Sequence, residues 1–193
     1  MESVLLSAPE GILARLGWDP RLDESARILA LARELVAEHE GVEEGSVKVD
    51  YEASPQLGHF VNVEATVAGN PVPLNIKAAS FRTATVVAVA DAAVPIGLDI
   101  RVLQPDPITL REMRRHSHLI NGGTDRELLA HWTRVQAVLA ADGRGLRVHP
   151  EQVRMDPPRN KGWVADRRIY YRLQDLSRDA WVITLAYGGL PKR

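Results

Sequence analysis

Ile28, Leu31, Ala32, Leu35 and Val36 fall at i, i+3, i+4, i+7 and i+8, the spacing that gathers apolar side chains on one face of a helix. The pattern predicts a helix over residues 24–40, with Asp23 placed to cap its start and Gly41 its end. Upstream, Gly17 and Pro20 break any long helix, and residues 9–16 are expected to form a short one. From residue 47 the period changes to two. Val47 to Tyr51 and Phe60 to Val67 alternate, with Pro55 and Gly58 interrupting between them. Ala68-Gly69-Asn70-Pro71 reads as a turn and Val72 to Ile76 as the returning strand of a hairpin. Thr83 to Ala90 is a β-rich run. After a turn at Asp91-Ala92-Ala93 comes Pro95 to Arg101, an apolar strand expected to pair with residues 83–90.

Pro105 and Pro107 end that strand. Thr109 with Glu112 matches a capping box, which predicts a short helix over about 110–119 that stops at Asn121-Gly122-Gly123. Thr124 with Glu127 is a second capping box. It opens the best helix of the chain, with Leu128, Trp132, Val135 and Leu139 as its buried stripe and Gly143 as its close. Leu146 to Met155 reads as one strand or two around Pro150. Residues 156–162 read as a loop, and Arg168 to Leu173 with Trp181 to Ala186 as a hairpin. Helix, strands, two helices and strands again is an α+β order and not a repeating βαβ one.

The chain has 193 residues, 45% hydrophobic and 25% charged, which suits a globular protein able to bury a core without staples. It has no cysteine, so disulfides, thiolate metal sites and a cysteine nucleophile are excluded. The six histidines show no zinc-ligand spacing, and His116 and His118, two apart, would lie on different faces of a helix. No stretch approaches a membrane span and the first residues do not read as a signal peptide, so a cytoplasmic location is expected. The net charge of −1 hides an asymmetry. Residues 1–70 carry 5 basic and 13 acidic groups, whereas residues 150–193 carry 9 and 5. The basic groups of the second half are dispersed and aromatics make up only 5%, so an acidic partner is a better expectation than nucleic acid.

One residue has no place in an apolar strand. Asp99 lies between Leu98 and Ile100, and an ionised carboxylate in a core is costly unless paired. Its context is Ile96-Gly97-Leu98-Asp99-Ile100, followed after about thirty residues by Trp132-Thr133 and then Asp142-Gly143-Arg144-Gly145-Leu146. In order and spacing this resembles the 4′-phosphopantetheinyl transferase superfamily, in its larger, monomeric class of two similar half-domains. Leu31-Ala32-Arg33-Glu34-Leu35-Val36 resembles that family's early helix, and Leu74-Asn75-Ile76 stands before its coenzyme A-binding strand. The resemblance implies an α+β fold of two half-domains, residues 1–92 and 93–193, related by pseudo-twofold symmetry. It also implies transfer of phosphopantetheine from coenzyme A to a carrier-protein serine, with Mg²⁺ held by carboxylates at the pyrophosphate.

The residues that would carry this chemistry depart from the family pattern. Asp99 matches the first metal ligand. The Glu two residues on is Arg101, the Glu of the tryptophan motif is Gln136, and the lysine four residues later is Ala140. Arg101 brings a permanent positive charge to the metal's position. Residues two apart in a strand share a face, so its guanidinium is expected to take the metal's place and pair with Asp99. The family's coenzyme A contacts map onto Arg33, Lys77 and His59. Lys77 could contact a phosphate, or simply be solvated. Arg111, Arg114 and Arg115, with Met113 between them, form a basic patch that could dock an acyl or peptidyl carrier protein, or be a solvated helix face.

The expected function is that of a monomeric, phosphopantetheinyl-transferase-like protein without the usual Mg²⁺-dependent transfer, acting with a carrier-protein system. An active transferase with a rearranged site, an enzyme with a new activity in the same cleft, and a structural partner in an assembly are the alternatives.

Overall fold

The computed structural model describes residues 1–53, 61–115 and 124–191. By its contacts the chain divides into two units, Met1–Ile96 and Gly97–Arg193.

In the first unit a long helix lies on an antiparallel sheet. The strands are β1 (Glu2–Leu5), β2 (Ile12–Trp18), β3 (Val47–Ala53), β4 (Val61–Val67), β5 (Asn70–Pro71), β6 (Leu74–Phe81) and β7 (Ala84–Asp91). Their order is β1-β2-β7-β6-β4-β3, with the two-residue β5 on β4. Helix α1 (Glu24–Glu40) forms as its stripe predicts. The Asp23 carboxylate accepts from the Ala26 N–H, and Gly41 closes the helix at φ 66°. Ile28, Leu31, Ala32, Leu35 and Val36 are all fully buried, against Val47, Val49, Val63, Ala65, Ile76, Val87 and Val89 of the sheet. Those strand residues are alternate ones, so their neighbours in sequence face the other side.

Two expectations fail here for one reason. Residues 9–16 are not a short helix: Ile12–Trp18 is strand β2, in unbroken register with β7 from Ile12↔Ala90 to Trp18↔Ala84. Ile12, Leu13 and Leu16 fit a helical spacing, but Ile12, Ala14 and Leu16 also alternate, and a partner strand decides between the two periods. That partner is β7, whose other edge is taken by β6 from Leu74↔Asp91 to Phe81↔Ala84. With both edges filled, β7 cannot also pair with the strand containing Asp99.

A buried arginine ties the unit together. Arg27 is 4% exposed. Its guanidinium donates to the Thr85 hydroxyl at 3.0 Å, to the Arg82 carbonyl at 2.8 Å and to the carbonyls of Leu22 and Asp19. One side chain thereby joins α1, the segment leading into it, and the β6–β7 turn where Arg82 adopts φ 56°.

The second unit is also a helix-on-sheet layer. Its strands are β8 (Ile96–Val102), β9 (Val153–Asp156), β10 (Lys161–Val164), β11 (Ile169–Asp175) and β12 (Trp181–Pro191), in the order β8-β12-β11-β10-β9. Leu103, just past β8, donates to the Ala180 carbonyl just before β12 at 2.7 Å, so the two strands run antiparallel. Helices α2 (Pro107–Arg115) and α3 (Asp125–Asp142) complete it. The Thr124–Glu127 capping box forms in both directions and Gly143 caps the end at φ 76°. The first box does not cap α2. Asp106 does, accepting from the N–H groups of Ile108 and Thr109 at 3.0 Å each, and Pro107 opens the helix where no N–H is needed. The stretch before β9 forms two single 3-10 turns, Gly145–Arg147 and Pro150–Gln152. The expected loop over 156–162 yields strand β10 at Lys161. The stop at residues 121–123 lies outside the described residues.

The chain is therefore α+β, with two antiparallel sheets. Two substitutions test the joints. Arg27→Met keeps the apolar stem but leaves the Leu22 and Arg82 carbonyls without their donor, and is expected to cost about 3 kcal/mol in urea unfolding. Gly97→Ala would drive a Cβ into the backbone of α3, inside van der Waals contact with the Ala141 nitrogen and the Ala137 oxygen, and is expected to cost about 3 kcal/mol or more in the same measurement.

Candidate functional site

Strand β8 approaches α3 closely because Gly97 has no side chain. Gly97 lies against Ala137–Ala141 near the end of α3. Leu103, beyond the other end of β8, packs into the cluster of Met113, Leu128, Leu129 and Val182 together with Trp132. Strand and helix thus run in opposite directions. Asp99 and Arg101 alternate onto the strand face of Gly97, the face turned to α3. Gln136 is half-buried on that helix, one turn before the buried Ala140. The structure therefore brings Asp99, Arg101 and Gln136 to one side of the second sheet.

Asp99 is 8% exposed. Its carboxylate accepts two hydrogen bonds from one guanidinium, Arg101 Nε to Oδ2 and Nη2 to Oδ1, both at 3.1 Å. This is the bidentate fork that arginine forms with a carboxylate. Burial pushes the Asp99 carboxyl up to about 6, while the charge and hydrogen bonds of Arg101 pull the other way. Magnesium does not fit this donor set. The ion needs several hard oxygen ligands, whereas both oxygens of Asp99 face a cation and the partner positions supply a guanidinium and an amide. Among the described residues no group of three His, Cys, Asp or Glu side chains is placed to hold a metal ion.

The expected coenzyme A contacts do not converge. Arg33, on α1, lies 3.9 Å from Glu44. Lys77 is half-buried on β6. Its neighbours Ile76 and Ala78 face the α1 core, so Lys77 points to the opposite side of the sheet. Alternation along one strand thus puts a β-sheet between Arg33 and Lys77. Burial lowers the Lys77 amine from its ordinary value. His59, like His116 and His118, lies outside the described residues.

The basic patch on α2 is reshaped. Arg111 and Arg115 are exposed, and Arg114 is tied to Asp125 at 2.7 Å. Met113, expected on the docking face, is instead fully buried against Leu128, Leu129 and Val182. On a helix, position 113 falls on the side turned from 111 and 115. The apolar residue on the outer side is Ile108, 71% exposed, three before Arg111 and seven before Arg115. That spacing was legible in the sequence.

Two further features had weaker signals. Asp142, its side chain 1% exposed, receives Arg144 and Arg167, the latter at 3.0 Å. Arg144 also forks onto Asp166, at 2.6 and 2.8 Å, and its hydrogen bonds hold the Asp166 carboxyl below its usual range. This network fastens the end of α3 to the turn after β10. It joins residues over twenty positions apart, so no local motif announces it. His131, on α3, has a buried Nε2 with no hydrogen-bond partner among the described residues. Burial, and then Arg134, lower its pKa to about 4.

No helix among the described residues is long and apolar enough to cross a membrane. A scan against protein-family models returns no match, and a search of curated proteins finds no relative.

The Asp99 carboxyl titrates higher in the fold than its ordinary value of 3.8, so its protonated form favours the folded state. The stability it contributes is fullest below about pH 4 and is lost as the pH rises through about 6. Asp99→Asn is expected to flatten that slope. Arg101→Met, which removes the opposing cation, is expected to carry the loss to higher pH. Urea unfolding midpoints measured between about pH 4 and 8 check both.

Proposed function

We propose that this chain is a divergent relative of the 4′-phosphopantetheinyl transferases that has exchanged the magnesium site for an internal ion pair. It serves a carrier-protein system by binding, without Mg²⁺-dependent transfer. The Asp99–Arg101 fork carries this reading: at the position where the family pattern has two carboxylates, one guanidinium neutralises the remaining one. A fixed, always-charged arginine repels a dication and already occupies a lone pair on each oxygen of Asp99. The helix-on-antiparallel-sheet build of each unit supports the family reading at the level of fold class, and the motif spacing from Gly97 to Gly145 supports it at the level of sequence. The arrangement of two related halves belongs to this proposal.

The docking element in this reading is α2, whose exposed Ile108, Arg111 and Arg115 offer an apolar contact flanked by positive charge to an acidic helical partner. Such rim charge steers association and sets salt dependence.

Incubation with coenzyme A, Mg²⁺ and an apo carrier protein, read by mass spectrometry, tests the catalytic half. The expected result is an unmodified carrier, and a phosphopantetheine added to its serine would overturn the proposal in favour of an active transferase with a rearranged site. The binding half is tested by titrating the same carrier into the wild type and into Arg111→Glu/Arg115→Glu. Binding is expected to weaken about tenfold or more in the double variant, and a carrier that does not bind the wild type defeats it.

A further inference from the structure

Strand β3 is one of the two edge strands of the first sheet. Among the described residues no strand lies beyond it, so one row of its N–H and C=O groups has no ladder partner. Natural edges are blunted by brevity, proline, a bulge or charged side chains. Strand β3 carries charges on its exposed face but is neither short, proline-bearing nor bulged: it is seven residues long and pairs with β4 without a break, from Val47↔Val67 to Ala53↔Val61.

Its two faces differ. Val47, Val49 and Tyr51 belong to the core under α1, while Lys48, Asp50 and Glu52 alternate onto the other face and are exposed. Asp50 stands directly opposite Glu64 of β4, an arrangement of like charges that works against pairing. Lys48 offsets it weakly, 3.8 Å from Asp50 with 77% of its side chain exposed. A pocket of about 120 Å³ is lined by Asp50, Tyr51, Glu52 and Glu64.

We infer that the β3 edge accepts an extended, cationic peptide segment of a partner protein. The segment adds a strand to the sheet and places a lysine or arginine in the Asp50–Glu52–Glu64 pocket. Backbone hydrogen bonds along the open edge supply affinity, and pockets for alternate side chains supply selectivity. Basic residues two apart in the added strand would all face the carboxylates. A second copy of β3 is a poorer occupant, because each copy brings two carboxylates and one lysine on that face and leaves the excess negative charge uncompensated. The inference does not rest on the reading of Asp99 and Arg101.

The probe is a fluorescent nine-residue peptide of alternating threonine and lysine, titrated by anisotropy at low salt into the full chain. Two controls accompany it: the same peptide N-methylated at alternate amides on its pairing edge, and a version with glutamate for lysine. Binding is expected to fall about tenfold or more on N-methylation, and likewise with Glu52→Lys or with the glutamate peptide. Equal binding of the N-methylated peptide would reduce the site to surface electrostatics and overturn the inference. So would indifference to Glu52→Lys, no binding at all, or a sedimentation result showing the chain dimerised through β3. Unfolding midpoints of Glu52→Lys matching the wild type establish that a loss belongs to the edge and not to the fold.

Discussion

The second unit depends on an absent side chain. At Gly97 the backbone of β8 meets the backbone of α3 with no room for a Cβ, and the setting of the Asp99–Arg101 pair follows from that approach. It turns toward the helix the strand face that carries Asp99, a carboxylate only 8% exposed. An isolated carboxylate there would be untenable, and Arg101, two residues along on the same face, supplies the fork that makes it tolerable. The first unit has its counterpart in Arg27, a buried cation whose donors are spent on a hydroxyl and backbone carbonyls of three separate segments. Both units are thus organised by a feature that a hydrophobic pattern alone does not contain.

In the Asp99–Arg101 pair one strand face supplies both charges. The buried carboxylate and the guanidinium two residues along the strand balance each other's charge internally. A buried ion pair of this kind is poor evidence of added stability, because desolvation offsets much of its attraction. Its consequence is electrostatic: it sets a fixed cation against the carboxylate, while burial links the carboxylate to pH.

Much of the architecture was legible because it is local. The α1 stripe, its Asp23 and Gly41 caps, the Thr124–Glu127 box and the β11–β12 hairpin are each set by residues within a few positions of one another. Asp99 and Arg101 were legible for the same reason, since the alternation of a strand puts residues two apart on one face. The misses share the opposite property. Strand β2 looked helical until β7 offered it a partner. Strand β8 seemed to belong beside β7, but β2 and β6 had filled both edges. Met113 resembled a surface residue among arginines, and only the packing of α2 against α3 turned it inward.

By itself, the sequence determined the element types wherever period and caps agreed, the α+β class, the absence of thiol chemistry and the placing of Arg101 on the strand face of Asp99. The tertiary structure decided which strands pair, that Arg33 and Lys77 stand on opposite sides of a sheet, and that Asp142 gathers Arg144 and Arg167 at the end of α3. The physical reason is range. Caps, turns and alternation are settled by neighbours in the chain. Strand partners, burial and ion-pair networks are settled by competition among distant segments for the same edge, face or charge.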